Sequence, residues 1–311
     1  MIDSVVHTAV RSSQKGILRA LLYFDIFDYP LTEKEIENFS PIQVHDDLSD
    51  SLAELIRSQV IYQFEGYYTI HNNRNSVHRR LSGNRLAEAR LSTARTISKW
   101  ISIFPFVRAV LLSGSISKGF MDEHSDIDYF IITEPGRLWI VRSAMAFFRR
   151  IFFLNSRRLF CTNYFIDSDH LEISEKNMFT AVEVATLKPM FGKKFIEDFQ
   201  KSNQWCGQYL PNRVEQNGIS GERDRPVKMV VERMLASPIY DRFDQWLMHR
   251  SLKRWKTKYG HLFDASDFSI AFQSTTGVSR SHPGFYQKRV LTSLKQKTKE
   301  FEEVHALSLT P

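Results

Sequence analysis

A chain of 311 residues suits roughly two domains of the common 100–200-residue size, and 42% hydrophobic with 25% charged residues are the proportions of a folded globular protein. Cys161 and Cys206 are too few for a disulfide framework and read as reduced thiols of a cytoplasmic protein; residues 1–13 lack the apolar core of a signal peptide, and the most hydrophobic stretch, 144–154, is too short to span a bilayer and is broken by Arg149 and Arg150. The net charge of +7 suits an acidic partner such as nucleotide phosphates or nucleic acid, although many enzymes carry as much without one.

Residues up to about 70 read as three short helices and a hairpin. Ile17, Leu18, Leu21, Leu22 and Tyr23 recur at helical spacing, and this helix stops near Asp28-Tyr29-Pro30, because a residue before proline disfavours the α region. Thr32 with Glu35 forms a capping-box pattern for a second helix carrying Ile36 and Phe39. Leu48, Leu52, Leu55 and Ile56 give the third helix an apolar face. Residues 61–64 and 67–70 alternate around Glu65-Gly66, a hairpin signal. Three helices and a hairpin resemble a winged-helix domain, a class that often reads DNA with its third helix. Here that helix carries Asp46, Asp47, Asp50 and Glu54 against Arg57 alone, and such a face repels phosphates. A structural or protein-contact role is expected in place of DNA binding.

The pattern divides the chain at 1–74, 75–104, 105–193 and 194–311. The second segment is a polar helical connector along which Arg80, Arg85, Arg90 and Arg95 form either a solvated face or a basic rail. The third alternates strands at 107–112, 127–132 and 159–166 with helices at 137–154 and 177–190, an α/β (α+β) sheet domain. The last is mainly helical, at 227–235, 240–258 and 288–304, after a Gly-, Asn- and Pro-bearing loop at 204–225. Ser281-His282-Pro283-Gly284 reads as a further loop.

The chemistry concentrates in residues 112–132. Ser113-Gly114-Ser115 follows a strand and opens a short helix; Gly114 without a Cβ would admit a phosphate to the backbone, and the helix N-terminus would offer it N–H groups. Ser115 and Ser117 add hydroxyls, and Lys118 an ammonium. Asp126 and Asp128 lie two apart at the start of the next strand, so both carboxylates share one face while Ile127 enters the core. Side-by-side carboxylates repel unless a hard cation such as Mg2+ (or Mn2+) lies between them.

Leu112, Gly114-Ser115 and Asp126-Ile127-Asp128 together resemble the nucleotidyltransferase superfamily that includes DNA polymerase beta. Over the wider chain, residues 24–32, 135–139 and 161–165 resemble prokaryotic proteins that place a winged helix before such a domain. The resemblance implies a nucleotidyltransferase fold, a mixed sheet with flanking helices, with Asp126 and Asp128 as catalytic metal ligands, a nucleoside triphosphate held by Ser113, Gly114, Ser115, Lys118 and Asn163, and an acceptor that is a protein, small molecule, sugar or RNA. Active members of the superfamily carry a third carboxylate on a later strand. Asn163 occupies the inward position here, able to coordinate through its carbonyl but unable to take a proton. Asp167 shares its parity but lies about 13 Å further along the strand; Asp169 and Glu172 are weaker candidates. The pattern therefore implies either an enzyme or a nucleotide-binding module of the same fold. His124, in the loop before Asp126, is a further candidate for substrate contact; Arg137 and Arg142 begin the helix after the second strand, where basic side chains oppose the dipole, which makes Arg137 a candidate anion contact.

Overall fold

The computed structural model describes residues 11–43, 47–214, 226–281 and 286–309. The chain opens with α1 (Ser12–Asp25), which buries Ile17, Leu18, Leu21, Leu22 and Phe24. A short strand, β1 (Leu31–Thr32), leads into α2 (Glu33–Phe39) through the expected capping box: the Glu35 amide donates to Thr32 Oγ1 (3.3 Å) and the Thr32 amide to Glu35 Oε2 (2.9 Å). Next come α3 (Leu48–Arg57), β2 (Tyr62–Phe64) and β3 (Tyr67–Thr69), the last two joined by Glu65 and Gly66 at φ 53° and 81°. Two positive φ values in succession match strand twist in a two-residue turn, so Gly66 is well placed. The three strands form an antiparallel sheet in the order β1-β3-β2.

Of the acidic residues expected on α3, Asp47 and Glu54 contact the start of α1, while Asp50 is exposed. Ser13 donates to Asp47 (2.7 Å), Gln14 donates to Glu54 (3.1 Å), and Arg11 pairs with Glu54; Asp46 lies outside the described residues. The connector is one 30-residue helix, α4 (Arg74–Ile103). Its arginines do not act alike. Arg80 is buried, donating to Pro30 O (2.8 Å) and Glu35 (2.7 Å) with its guanidinium 3.6 Å above the Tyr29 ring, so it belongs to neither a solvated face nor a basic rail. Arg85 and Arg95 are exposed.

The second sheet uses β4 (Val107–Ser113), β5 (Asp128–Thr133), β6 (Cys161–Asp167), β7 (Lys188–Phe191) and β8 (Val278–Arg280) in the order β7-β4-β5-β6-β8. Only β5 and β6 run parallel, joined across α6 (Leu138–Phe152); the other neighbours are antiparallel, so the sheet is mixed and the class α+β. Period-two alternation splits the core. Ala109, Leu111, Phe130 and Ile132 join a cluster with α1 and with α7 (Met178–Thr186) and α8 (Lys193–Ser202), whereas Val110, Leu112, Tyr129 and Ile131 join one with α4 and α6.

Two expectations change. The helix expected at 177–190 ends at Thr186, and Lys188–Phe191 is an edge strand. Pro189 holds Lys188 extended, and its missing N–H is tolerated at a sheet edge. The expected boundary at 193/194 does not bound the sheet, because β8 from the C-terminal region pairs with β6. The remaining helices are α9 (Pro226–Met234), α10 (Ile239–Tyr259), α11 (Ala265–Ala271) and α12 (Tyr286–His305). In the loop expected at 204–225, residues 204–208 form a 3-10 turn that buries Trp205 and Cys206, and 215–225 lie outside the described residues, as do His282, Pro283 and Gly284. Cys161 and Cys206 are free. Among the described residues no helix is long and apolar enough to cross a membrane.

Candidate functional site

The register of β4 against β5 sets Ser113 opposite Asp128, bringing the Gly-Ser turn and Asp128 together. Gly114 has φ +68°, and a Cβ there would lie 2.6 Å from Asp128 Oδ2. Glycine is required, then, to admit the Asp128 carboxylate against the backbone, a different close approach from the phosphate expected. The helix that follows, α5 (Gly114–Ser117), has only four residues, so its dipole is small. Ser117 Oγ donates to Gly114 O (2.8 Å), while Ser113 and Ser115 stay partly exposed at the turn. Lys118 donates to Gly114 O (3.2 Å) and pairs with Glu183 of α7 (2.8 Å).

Ile127 is buried between Arg158 and Cys161, its amide donating to Arg158 O (3.0 Å) and its carbonyl accepting from the Cys161 amide (3.1 Å). Asp126 precedes β5 and is partly exposed. The loop before it is tied off by Asp122: the Ser125 hydroxyl and the His124 amide both donate to Asp122 Oδ1 (2.7 and 3.0 Å), and His124 itself is exposed. Arg90 and Arg158 line a small crevice beside this loop.

Asp128 is the most perturbed carboxylate of the site. Asn163 Nδ2 donates to its Oδ1 (3.0 Å), and the Cys161 thiol donates to it as well. Burial raises its pKa from 3.8 to about 7, with repulsion from Asp126 and Glu183 adding to the rise and the Cys161 bond and Lys118 opposing it. Burial, then the neighbouring Asp128, pushes the Cys161 thiol up, so it stays protonated and works as a donor. Crowded carboxylates held under partial desolvation are the environment that a divalent cation relieves, and Asp126, Asp128 and the Asn163 carbonyl are oxygen donors of the kind Mg2+ takes. Among the described residues no group of three or more His, Cys, Asp or Glu converges as a metal cluster.

The third-carboxylate candidates lie elsewhere. Asp167 pairs with Thr133 at the far end of β6 and is buried, accepting from the Asp169 amide (3.0 Å) and contacting His170 Nδ1 (2.7 Å). It closes a turn and does not join Asp126 and Asp128. Glu172 pairs with Lys176 (2.6 Å) on the surface. The acidic side chain that does reach Asp128 electrostatically is Glu183, which the sequence reading passed over. Its signal was available: it is the single charge in the helix Met-Phe-Thr-Ala-Val-Glu-Val-Ala-Thr.

Arg137 and Arg142 are engaged by the protein. Arg137 is buried and pairs with Asp241 at the start of α10. Arg142 donates to Ser281 Oγ (3.2 Å) and lies against Phe165 and Trp255 (5.2 and 4.8 Å to the ring centroids). Burial, with Arg149 and Arg157 adding like charge, lowers its pKa to about 9.

No family model, no curated protein and no solved structure matches the chain.

Proposed function

We propose that this chain carries a nucleotidyltransferase-type site. It binds a nucleoside triphosphate with Mg2+ or Mn2+ and transfers the nucleoside monophosphate to a hydroxyl or similar acceptor, releasing pyrophosphate. The observation that supports this reading is the register that sets Ser113 opposite Asp128 and the Gly114 backbone against the Asp128 carboxylate, with Asp126 two residues before it. Asp126 and Asp128 would hold the metal, with Asn163 fixing Asp128 through its amide. The bound cation would neutralise phosphate oxygens as charge develops on the leaving pyrophosphate. Ser113 and Ser115 supply donors at the open turn, and Lys118 supplies positive charge beside it. The acceptor oxygen attacks the α-phosphorus, and the α–β phosphoanhydride bond breaks.

A second reading, a nucleotide-binding module with weak or no turnover, is favoured by Asn163. An amide takes the position where a proton-accepting carboxylate was expected, and Asp167 is remote. Incubation with Mg2+ and labelled nucleoside triphosphates, with and without candidate acceptors, separates the two. Label incorporation that vanishes in Asp126→Ala/Asp128→Ala supports transfer; metal-dependent binding by calorimetry without incorporation supports the module; absence of metal-dependent triphosphate binding overturns both. For the N-terminal unit we propose a winged-helix-type module whose third helix contacts its own α1 in place of DNA, consistent with the bonds to Asp47 and Glu54.

A further inference from the structure

The two acidic residues of α10 are both used internally. Asp241 pairs with Arg137, and Asp244 accepts from the Ile140 amide (2.7 Å), which docks α10 on the start of α6. At 3.6 residues per turn, Arg242, Phe243, Trp246, Arg250, Lys253 and Arg254 fall on the opposite side, within about a third of the helix circumference. All six are exposed. Phe243 and Trp246 are 46% and 51% exposed, large values for aromatic rings on a docked helix. Their rings stack at 5.7 Å with 14° between planes, and the Arg250 guanidinium lies 5.3 Å over Trp246. Four cations and two rings thus share one stripe about 18 Å long, at a rise of 1.5 Å per residue, with no acidic residue in it.

We propose that this face of α10 binds single-stranded nucleic acid. Stacked rings offer a platform to unpaired bases of any identity, and interleaved arginine and lysine side chains track the phosphates. Charge decides against a lipid surface: an interfacial helix keeps its cations off the apolar face that enters the membrane, whereas here Arg250 covers Trp246. Duplex is a poorer fit, since its bases are stacked and their faces closed to Phe243 and Trp246. The proposal is independent of the nucleotidyl-transfer reading and stands if Asp126 and Asp128 prove inactive.

The test uses the full chain and fluorescence anisotropy of labelled 12-mer oligouridine, oligothymidine and a 12-base-pair duplex, between 50 and 200 mM salt. Expected is preferential binding of the single strands. Trp246→Ala should weaken it about 10-fold, the scale of one lost base stack. Arg250→Gln/Lys253→Gln should reduce the slope of log affinity against log salt by about 1.4, two phosphate contacts at ~0.7 each. These positions are solvent-facing, so the variants should keep the wild-type melting temperature; Phe243→Ser serves as a second stacking variant. The proposal is overturned by absence of single-strand binding at 50 mM salt, or by affinity unchanged in all three variants. It is equally overturned if the variants lose only binding to phosphatidylserine vesicles or only a concentration-dependent dimer.

Discussion

Asp128→Asn should stabilise the metal-free protein, and the gain should depend on pH. In the folded state the Asp128 pKa is about 7, against 3.8 for an ordinary aspartate. Between about pH 4 and pH 7 the folded chain therefore holds a proton that the unfolded chain has released. Stability falls as pH rises through that window, and the whole penalty is present above it. A rise of about three pH units corresponds to roughly 4 kcal/mol at full weight. Asp128 is only partly buried as a residue, and solvent screening brings the expected figure to about 2–4 kcal/mol. Asparagine is nearly isosteric, fits beside Gly114, and can still accept from Asn163 Nδ2. Urea denaturation of both proteins in EDTA at pH 5 and pH 8 measures the difference. Asp128→Asn should exceed wild type by about 2–4 kcal/mol at pH 8, with most of that gain gone at pH 5. A variant no more stable than wild type at pH 8, or a gain that does not grow with pH, refutes the argument.

Other outcomes follow from the same geometry. If Asp126 and Asp128 hold a cation, Mg2+ should raise the melting temperature of wild type more at pH 8 than at pH 6, because a proton competes at Asp128 below its pKa; Asp128→Asn should abolish the effect. Gly114→Ala sets a Cβ 2.6 Å from Asp128 Oδ2 at a φ of +68°. It should cost about 2–3 kcal/mol in urea denaturation and displace Asp128, with a loss below 0.5 kcal/mol counting against the packing described. Arg80→Met leaves Glu35 without its cation and Pro30 O without its donor. Chemical denaturation should register a loss of about 2–4 kcal/mol, reduced from a fully buried pair because Glu35 is partly exposed. Asp167→Asn should cost about 1–2 kcal/mol through its turn contacts, and calorimetry should find nucleotide binding unchanged; loss of binding would return Asp167 to the site.

Local physics made much of this protein readable in advance. The capping box at Thr32, the hairpin at Glu65-Gly66, the apolar face of α3 and the helix of 74–103 each depend on residues a few positions apart, so their patterns survive in the sequence. The Gly-Ser turn after one strand and the Asp-Ile-Asp pair opening the next were legible as local motifs, whereas the register that sets Ser113 opposite Asp128 was not. What the glycine was for was not legible. Its neighbour across the sheet is a carboxylate, and only the three-dimensional register sets that side chain 2.6 Å from where a Cβ would stand.

By itself, then, the sequence determined most of the N-terminal elements, the strands near 107–112, 127–132 and 159–166, the α+β character, and the Gly-Ser and Asp-Ile-Asp motifs, but not the edge strands β7 and β8. Tertiary structure alone decided which side chains are consumed by packing and which remain free. Arg80, Arg137 and Arg142 look like surface cations in a linear pattern, yet each is taken up by partners tens to more than a hundred residues away, Glu35, Asp241 and Ser281. Glu183 reaches Asp128 because α7 packs on the sheet face that Asp128 shares with Phe130 and Ile132. Asp167, which shares the parity of Asn163 in the sequence, was put out of reach by the rise of the strand and by a register shift at Asn163 that pairs it with Thr133, on the face opposite Asp128. Burial and charge compensation are properties of the assembled core, and no spacing rule along the chain encodes them.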